Sequence, residues 1–214
     1  MKTTLKVRIK WIDDVLGSTP GDPQIHETYI ASKAPDAMSI KEEIEAVGMD
    51  EVIAKGKTIF PKVDGEPVLW SYQVRGFFKS ACAALKMDDD SESSKVTAYK
   101  KLIDRAVFVF PDADDRTGRA IRIHTDEPIS DCPRSLRAST PQGERTAIAD
   151  SERISQGAWA DFDVVLLTDK IQIKGKTYLS LVDLVKEWLD YGEFCGIGQW
   201  RSSGKGAFVW EERE

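Results

Sequence analysis

Three observations predict an α+β fold: an opening segment that alternates apolar with basic residues, two segments whose apolar residues recur at helical spacing, and short apolar runs between and after them. Residues 5–12, Leu-Lys-Val-Arg-Ile-Lys-Trp-Ile, predict a strand with one face on a core and one in water. The cluster Gly17-Ser18-Thr19-Pro20-Gly21-Asp22-Pro23 then breaks the chain. Residues 36–54 follow, with helix formers and Ile40, Ile44, Val47 and Ile53, and predict a partly helical excursion.

Residues 72–86 place Val74, Phe77, Phe78, Ala81, Cys82 and Leu85 on one side of a helix that packs on a sheet. Arg75 and Lys79, four apart, share another face. The acidic, serine-rich stretch 88–94 reads as a solvated loop. Residues 104–110 read as a buried strand and 119–124 as its partner across the turn 112–118. After the long polar segment 125–155 come a strand over 159–167, a helix through 179–191, a glycine-rich loop and a closing strand over 207–210. In this order the elements give a single domain over 1–214 with a ferredoxin-like (RRM-like) βαββαβ core and helices on one face. One long insertion, about 13–70, follows the first strand, and a second, about 125–157, precedes the fourth.

Composition narrows the function classes. The 214 residues are 41% hydrophobic and 31% charged, an ordinary globular balance, and hold no apolar run long enough to cross a bilayer. The first residues begin as a strand and lack an apolar signal region, so a cytoplasmic location is expected. Cys82, Cys132 and Cys195 share no CxxC spacing, which fits free thiols in a reducing compartment. A formal net charge of -6 argues against a surface that coats nucleic acid everywhere, so any such contact must be local. No cofactor or metal motif is present: Walker, nucleophile-elbow and HExxH patterns are absent.

The most informative stretch is 196–208, Gly-Ile-Gly-Gln-Trp-Arg-Ser-Ser-Gly-Lys-Gly-Ala-Phe, in which four glycines and two cations separate a helix from the closing strand. Glycines admit positive φ and close backbone approach, and the cations suit phosphate. Gly198, Gln199, Gly204 and their neighbours would offer N–H groups to a ribose-phosphate chain, Arg201 and Lys205 would add ion pairs, and Trp200 a stacking plane. A helix stop with a loose connector and a core Trp200 reads the same residues as structure alone. Two further basic groups are Arg75 with Lys79 on the helix, and Arg134, Arg137 and Arg145 in a segment too long for a plain connector.

With the loop placed between the second helix and the last strand, the chain resembles the repeat-associated mysterious protein (RAMP) superfamily of CRISPR effector complexes. The pattern Gly196-x-Gly198-x5-Gly204-x-Gly206-x-Phe208 is similar to the superfamily's C-terminal glycine-rich loop. The run from Val68 to Ala81 is similar in layout to the entry into the first helix of backbone subunits, although Trp70-Ser71-Tyr72-Gln73 stands where a Pro-Gly-Ser-Ser-like turn is usual. The run from Ser151 to Phe162 is similar to their acidic residue, glycine and returning strand. The resemblance implies a non-catalytic protein that binds single-stranded RNA, assembles head-to-tail as a homo-oligomer or with other CRISPR effector subunits, and uses the second insertion as a thumb-like hairpin reaching the guide strand and the next protomer.

Two other readings remain open. The compact size and acidic balance suit a mimic or decoy that inserts into an immune effector complex. Alternatively, some relatives cut RNA with a histidine or with an aspartate after the first strand, which would draw on His26, His124, Asp13, Asp14 or Asp22. Two carboxylates adjacent in sequence point to different faces of a strand, so Asp13 and Asp14 read as solvated loop acids rather than as a metal pair.

Overall fold

The computed structural model describes residues 2–20, 57–114, 116–140, 143–173 and 178–214, and the side chains of these apart from 135–148. The helical excursion expected over 36–54 lies outside the described residues, as do His26 and Asp22. Strand β1 (Thr3–Trp11) opens the fold, followed by the short strands β2 (Val15–Leu16), β3 (Thr19–Pro20), β4 (Lys57–Ile59) and β5 (Lys62–Val63). Strand β6 (Glu66–Trp70) runs directly into helix α1 (Ser71–Leu85), and helix α2 (Tyr99–Ala106) precedes β7 (Val107–Phe110) and β8 (Ala120–His124). Next come β9 (Ser130–Asp131), β10 (Arg134–Thr140), β11 (Gly143–Ile154) and β12 (Trp159–Leu166). The hairpin β13 (Lys170–Gln172) and β14 (Tyr178–Ser180), helix α3 (Leu181–Asp190) and strand β15 (Phe208–Glu212) follow. The fold is therefore α+β, with three α-helices among the described residues.

In the main sheet β15, β1, β12 and β7 lie side by side, each antiparallel to its neighbour, and β8, β6 and β5 extend it. The period-two pattern of β1 decides its two faces: Leu5, Val7, Ile9 and Trp11 are buried, while Lys6 and Lys10 are exposed. The buried face meets Val74, Phe77, Phe78, Ala81 and Cys82 of α1 and Leu184, Val185, Trp188 and Leu189 of α3. Both helices thus cover one side of the sheet, and aromatic contacts seal the seam, with Phe77 edge-on to Phe208 at 5.1 Å and Phe78 against Trp188 at 5.7 Å. Helix α1 begins cleanly because the Gln73 carbonyl oxygen accepts from the Trp70 N–H at 2.8 Å while its amide donates to Ser18 Oγ at 2.9 Å.

Two expectations are corrected here. Residues 104–106 belong to α2 rather than to a strand, since Leu102, Ile103 and Ala106 repeat at helical spacing and carry Ile103 and Ala106 into the core. Strands β7 and β8 do not form a hairpin. They lie end to end along one edge of β12, β7 on Asp163 to Leu166 and β8 on Trp159 and Ala160. The connection between them folds over the far face of the sheet: Ala113 N–H donates to the buried Asp163 carboxylate at 2.8 Å, and the Arg119 guanidinium sits 4.8 Å from the Phe110 ring centre.

The second inserted region, a long polar segment for which only the resemblance implied a hairpin, is built of strands. Strands β10 and β11 pair antiparallel from Arg134 opposite Ala149 to Thr140 opposite Gly143, and the base of β11 pairs with β2, β4 and β9. On β10 only Leu136 and Ala138 alternate with polar neighbours, too short a pattern to read alone, so cross-strand pairing decides what the hydrophobic pattern leaves open.

Candidate nucleic-acid interface

The glycine-rich loop is anchored by backbone crossings. Ile197 N–H donates to Gly206 O at 3.0 Å, Gly206 N–H to Asp14 O at 2.8 Å, and Ile12 N–H to Ala207 O at 2.9 Å, so the loop is stitched to the end of β1. A Cβ on Gly196 would fall on the carbonyl group of Gly206, and one on Gly206 would fall on that of Ile197. A Cβ on Gly198 would lie 2.9 Å from the Leu16 carbonyl oxygen. These three glycines answer to internal backbone contact, which for Gly198 corrects the expectation of a residue that lines the ligand. Gly204, at φ +87°, closes the exposed turn Arg201–Ser203.

The tip of the loop points the other way. Trp200 adopts a left-handed backbone with φ 57° and ψ 36°, an arrangement costing about 1–3 kcal/mol for a residue with a side chain, and the residue is 41% exposed. Arg134, at the base of β10, holds it from behind. One guanidinium nitrogen donates to Ser151 Oγ at 2.9 Å, another to Gln199 Oε1 at 2.9 Å, and the group lies 5.2 Å from the Trp200 ring centre. Arg134 therefore joins the hairpin, the inner strand of the insertion and the loop tip through one planar fork. Gln199 and Trp200, adjacent in sequence, are brought together with Arg134 and Ser151 only by the fold.

The remaining cations divide. Lys205 Nζ lies 2.8 Å from Asp13 Oδ1 and 3.0 Å from Asp14 Oδ2, so its charge is used within the fold. The hydrogen bond from Lys205 lowers the Asp13 pKa, and the reciprocal bond raises that of Lys205. Asp13 and Asp14 are thus not the solvated acids that the sequence suggests; Arg153 also approaches Asp14, at 3.8 Å. Lys79 pairs with Asp104 of α2. Arg201 reaches Ser80 Oγ of α1 at 3.5 Å, and half-buried Arg75 has no hydrogen-bond or ion-pair partner among the described residues. Arg137 and Arg145 sit on β10 and β11, directly beside Thr146 and Ala138 in register, but their side chains lie outside the described residues.

Gly76, exposed in the interior of α1, has nothing within 4 Å of a would-be Cβ among the described residues, and Ser80 lies one turn on along the same stripe. Trp200, Arg201, Ser80, Gly76 and Arg75 therefore belong to one side of the molecule, where the loop tip meets the first helix.

His124 takes no part in this site: its ring stacks on Trp159 at 3.9 Å with planes inclined by 16°. Among the described residues no cluster of three or more metal-ligating side chains occurs, and no helix is long and apolar enough to cross a membrane. Sequence reading missed Ser151, and missed that Asp13 and Asp14 hold Lys205. No local signal marks either, because each partner lies far away along the chain.

No protein-family model matches the sequence, and no curated protein is similar to it by sequence. Among solved structures, a chain of the type III-B Cmr-β complex bound to cognate target RNA, seen by cryo-electron microscopy, is similar over 100% of this chain and 59% of that one, at 11% identity and a TM-score of 0.46. The protein thus spans less than two thirds of that neighbour's length.

Proposed function

We propose that this protein binds single-stranded RNA along the side where the glycine-rich loop meets α1, as a RAMP-like subunit built on a ferredoxin-like core. The core reading is supported by the strand order β15–β1–β12–β7, with α1 between β1 and β7 in the chain and α3 between β12 and β15. The observation that carries the binding reading is Trp200. A strained backbone and a buried-side guanidinium spend stability to keep an indole at the surface, and an exposed indole in front of an arginine is a plane for stacking an unpaired base. Arg75 and Arg201 flank it for phosphate and Gly76 leaves room for a close strand, while the N–H groups of Ser203, Gly204 and Gly206 are bonded to the carbonyls of Trp200, Arg201 and Asp14 and hold the shape of the loop. Arg134 and Lys205 act from within, one behind Trp200 and the other holding the loop to β1.

In this reading the hairpin β10–β11, with Arg137 and Arg145, reaches toward the RNA and a neighbouring subunit, of the same chain or of a CRISPR-type effector assembly. RNA is bound without being cut. Titrating labelled single-stranded RNA at rising salt tests it: binding that falls with salt and weakens about five-fold or more in Trp200→Ala supports the reading. Failure to bind at low salt, or affinity indifferent to both salt and Trp200, rejects it.

A specific observation favours a second reading, a mimic that docks on protein. Lys79 and Lys205 are neutralised by Asp104, Asp13 and Asp14, and the chain carries a net charge of -6. Co-purification separates the two, since protein partners without bound nucleic acid point to docking and RNA of regular length points to an RNA-binding subunit.

A further inference from the structure

On the sheet face away from α1 and α3, four residues form one straight cross-strand row. Val209 of β15 is opposite Lys10 of β1, Lys10 is opposite Trp159 of β12, and Trp159 is opposite His124 of β8. Val209, Lys10 and His124 are exposed and Trp159 is half-buried, so the row is a surface strip about 14 Å long, from three strand spacings of about 4.8 Å. The row is ordered rather than loose. The His124 ring lies parallel on Trp159 at 3.9 Å, and the Arg8 guanidinium lies 4.2 Å from the Trp159 ring centre.

The charges along this face differ sharply from one row to the next. Arg8 is held by Asp161 through two bonds of 2.8 Å, and its pKa is raised by that contact. Arg213 also pairs with Asp161 and Asp163, and Glu211 stands opposite Arg8, so both of these arginines are held by carboxylates. Lys10 has Val209 and Trp159 directly opposite it and the carboxylates of Glu211 and Asp161 on the diagonals, and makes no hydrogen bond or ion pair among the described residues. The row therefore offers a free ammonium next to a preformed aromatic stack whose outermost ring, His124, is open to solvent.

We propose that this row is a second binding strip for single-stranded nucleic acid, with a base stacking on His124 over Trp159 and a backbone phosphate at Lys10. A planar base extends the stack without reorganising it, because Arg8 already fixes Trp159 from the strand on its other side. A flat strip with one cation next to stacked rings matches the base-and-phosphate alternation of an unpaired strand. An acidic protein surface would satisfy Lys10 and leave the imidazole without a partner. The strip shares only the ligand class with the Trp200 site and uses no residue of it.

The test uses the whole chain with an oligoribonucleotide carrying photoreactive 4-thiouridine, cross-linked and mapped by mass spectrometry, beside anisotropy titrations of His124→Ala, Lys10→Gln and Trp200→Ala. Expected are cross-links to peptides of β1, β8 or β12, an affinity loss of about five-fold or more in His124→Ala, and a shallower salt dependence in Lys10→Gln. His124 and Lys10 are exposed, so thermal melting should leave both variants folded. If Trp200→Ala alone weakens binding and cross-links fall only on the glycine loop and α1, the strip is refuted and the loop reading stands. If only the strip variants weaken binding, the strip stands and the loop reading falls. A wild-type chain that binds no RNA refutes both.

Discussion

Gly196 and Gly206 cross backbone to backbone, with Ile197 N–H bonded to Gly206 O at 3.0 Å and no space between the two residues for a single methyl group. The crossing fixes where the loop leaves the core and hence where Trp200 emerges. A glycine pair of this kind is a packing device first, and its effect on any ligand is indirect.

Replacing either glycine by alanine should therefore unfold the loop before it alters chemistry. Gly206, at φ +79°, suffers twice, from strain and from collision with the Ile197 carbonyl, so Gly206→Ala is expected to cost about 2–3 kcal/mol. Urea midpoints at constant slope measure it, and a variant as stable as wild type would contradict the crossing.

Gly76 predicts the opposite sign. It lies in the exposed interior of α1 with an unfilled Cβ position, so Gly76→Ala should stabilise the fold by about 0.5–1 kcal/mol through helix propensity. The same variant should weaken RNA binding by narrowing the surface between Arg75 and Arg201. Higher melting temperature with lower affinity is the expected pair of results.

The Lys205 clamp makes stability depend on pH at both ends. Asp13 is lowered by its bond from Lys205, so its contribution is present above the unfolded carboxylate value near 3.9 and is lost as pH falls through the lower folded value. Lys205 is raised, so its contribution is whole below about 10.4 and fades as pH climbs through the higher folded value. Lys205→Met should be less stable than wild type at pH 7, with the gap closing toward acid. A gap that stays constant from neutral pH down to pH 2 would exclude the clamp.

A second polar node anchors the segment after α1. Glu187 of α3 accepts from Glu92 N–H at 2.7 Å, Ser93 N–H at 3.0 Å and Ser93 Oγ at 2.6 Å, and Trp188 Nε1–H donates to the same hydroxyl oxygen at 2.9 Å. Ser93 is fully buried, so Ser93→Ala leaves the Trp188 donor without a partner and removes one of the two bonds to Glu187 Oε2. A loss of about 1–3 kcal/mol is expected, read by thermal melting and by faster amide exchange over residues 88–95.

Arg134→Lys keeps the charge and removes the fork. Ser151 and Gln199 cannot both be satisfied by an ammonium at that position, so stability should fall by about 1–2 kcal/mol and Trp200 should lose its fixed pose. RNA affinity should drop with it, toward that of Trp200→Ala. An Arg134→Lys variant with full affinity would show that Arg134 does not position the indole.

Much of the architecture was legible from residue order alone. The alternation in Leu5, Val7, Ile9 and Trp11 set the faces of β1, and the apolar spacing from Val74 to Cys82 set the side of α1 that meets the sheet, because both patterns are local and period is dictated by backbone geometry. Residues 104–106 misled, since an apolar run after a short amphipathic turn reads equally well as strand or helix. The hairpin β10–β11 was not read from its own largely polar residues and was implied only by the resemblance.

The candidate site was legible only in its parts. Sequence determined that glycines, Trp200, Arg201 and Lys205 share one loop, and that Arg75 and Gly76 lie on a helix. Tertiary structure alone decided that Gly196, Gly198 and Gly206 serve backbone crossings, that Asp13 and Asp14 consume the charge of Lys205, and that Arg134, sixty-six positions from Trp200, stands behind its ring. The physical reason is range: periodicity and turn chemistry act over a few residues, whereas a charge is freed or spent by whatever partner the folded chain brings within hydrogen-bonding distance.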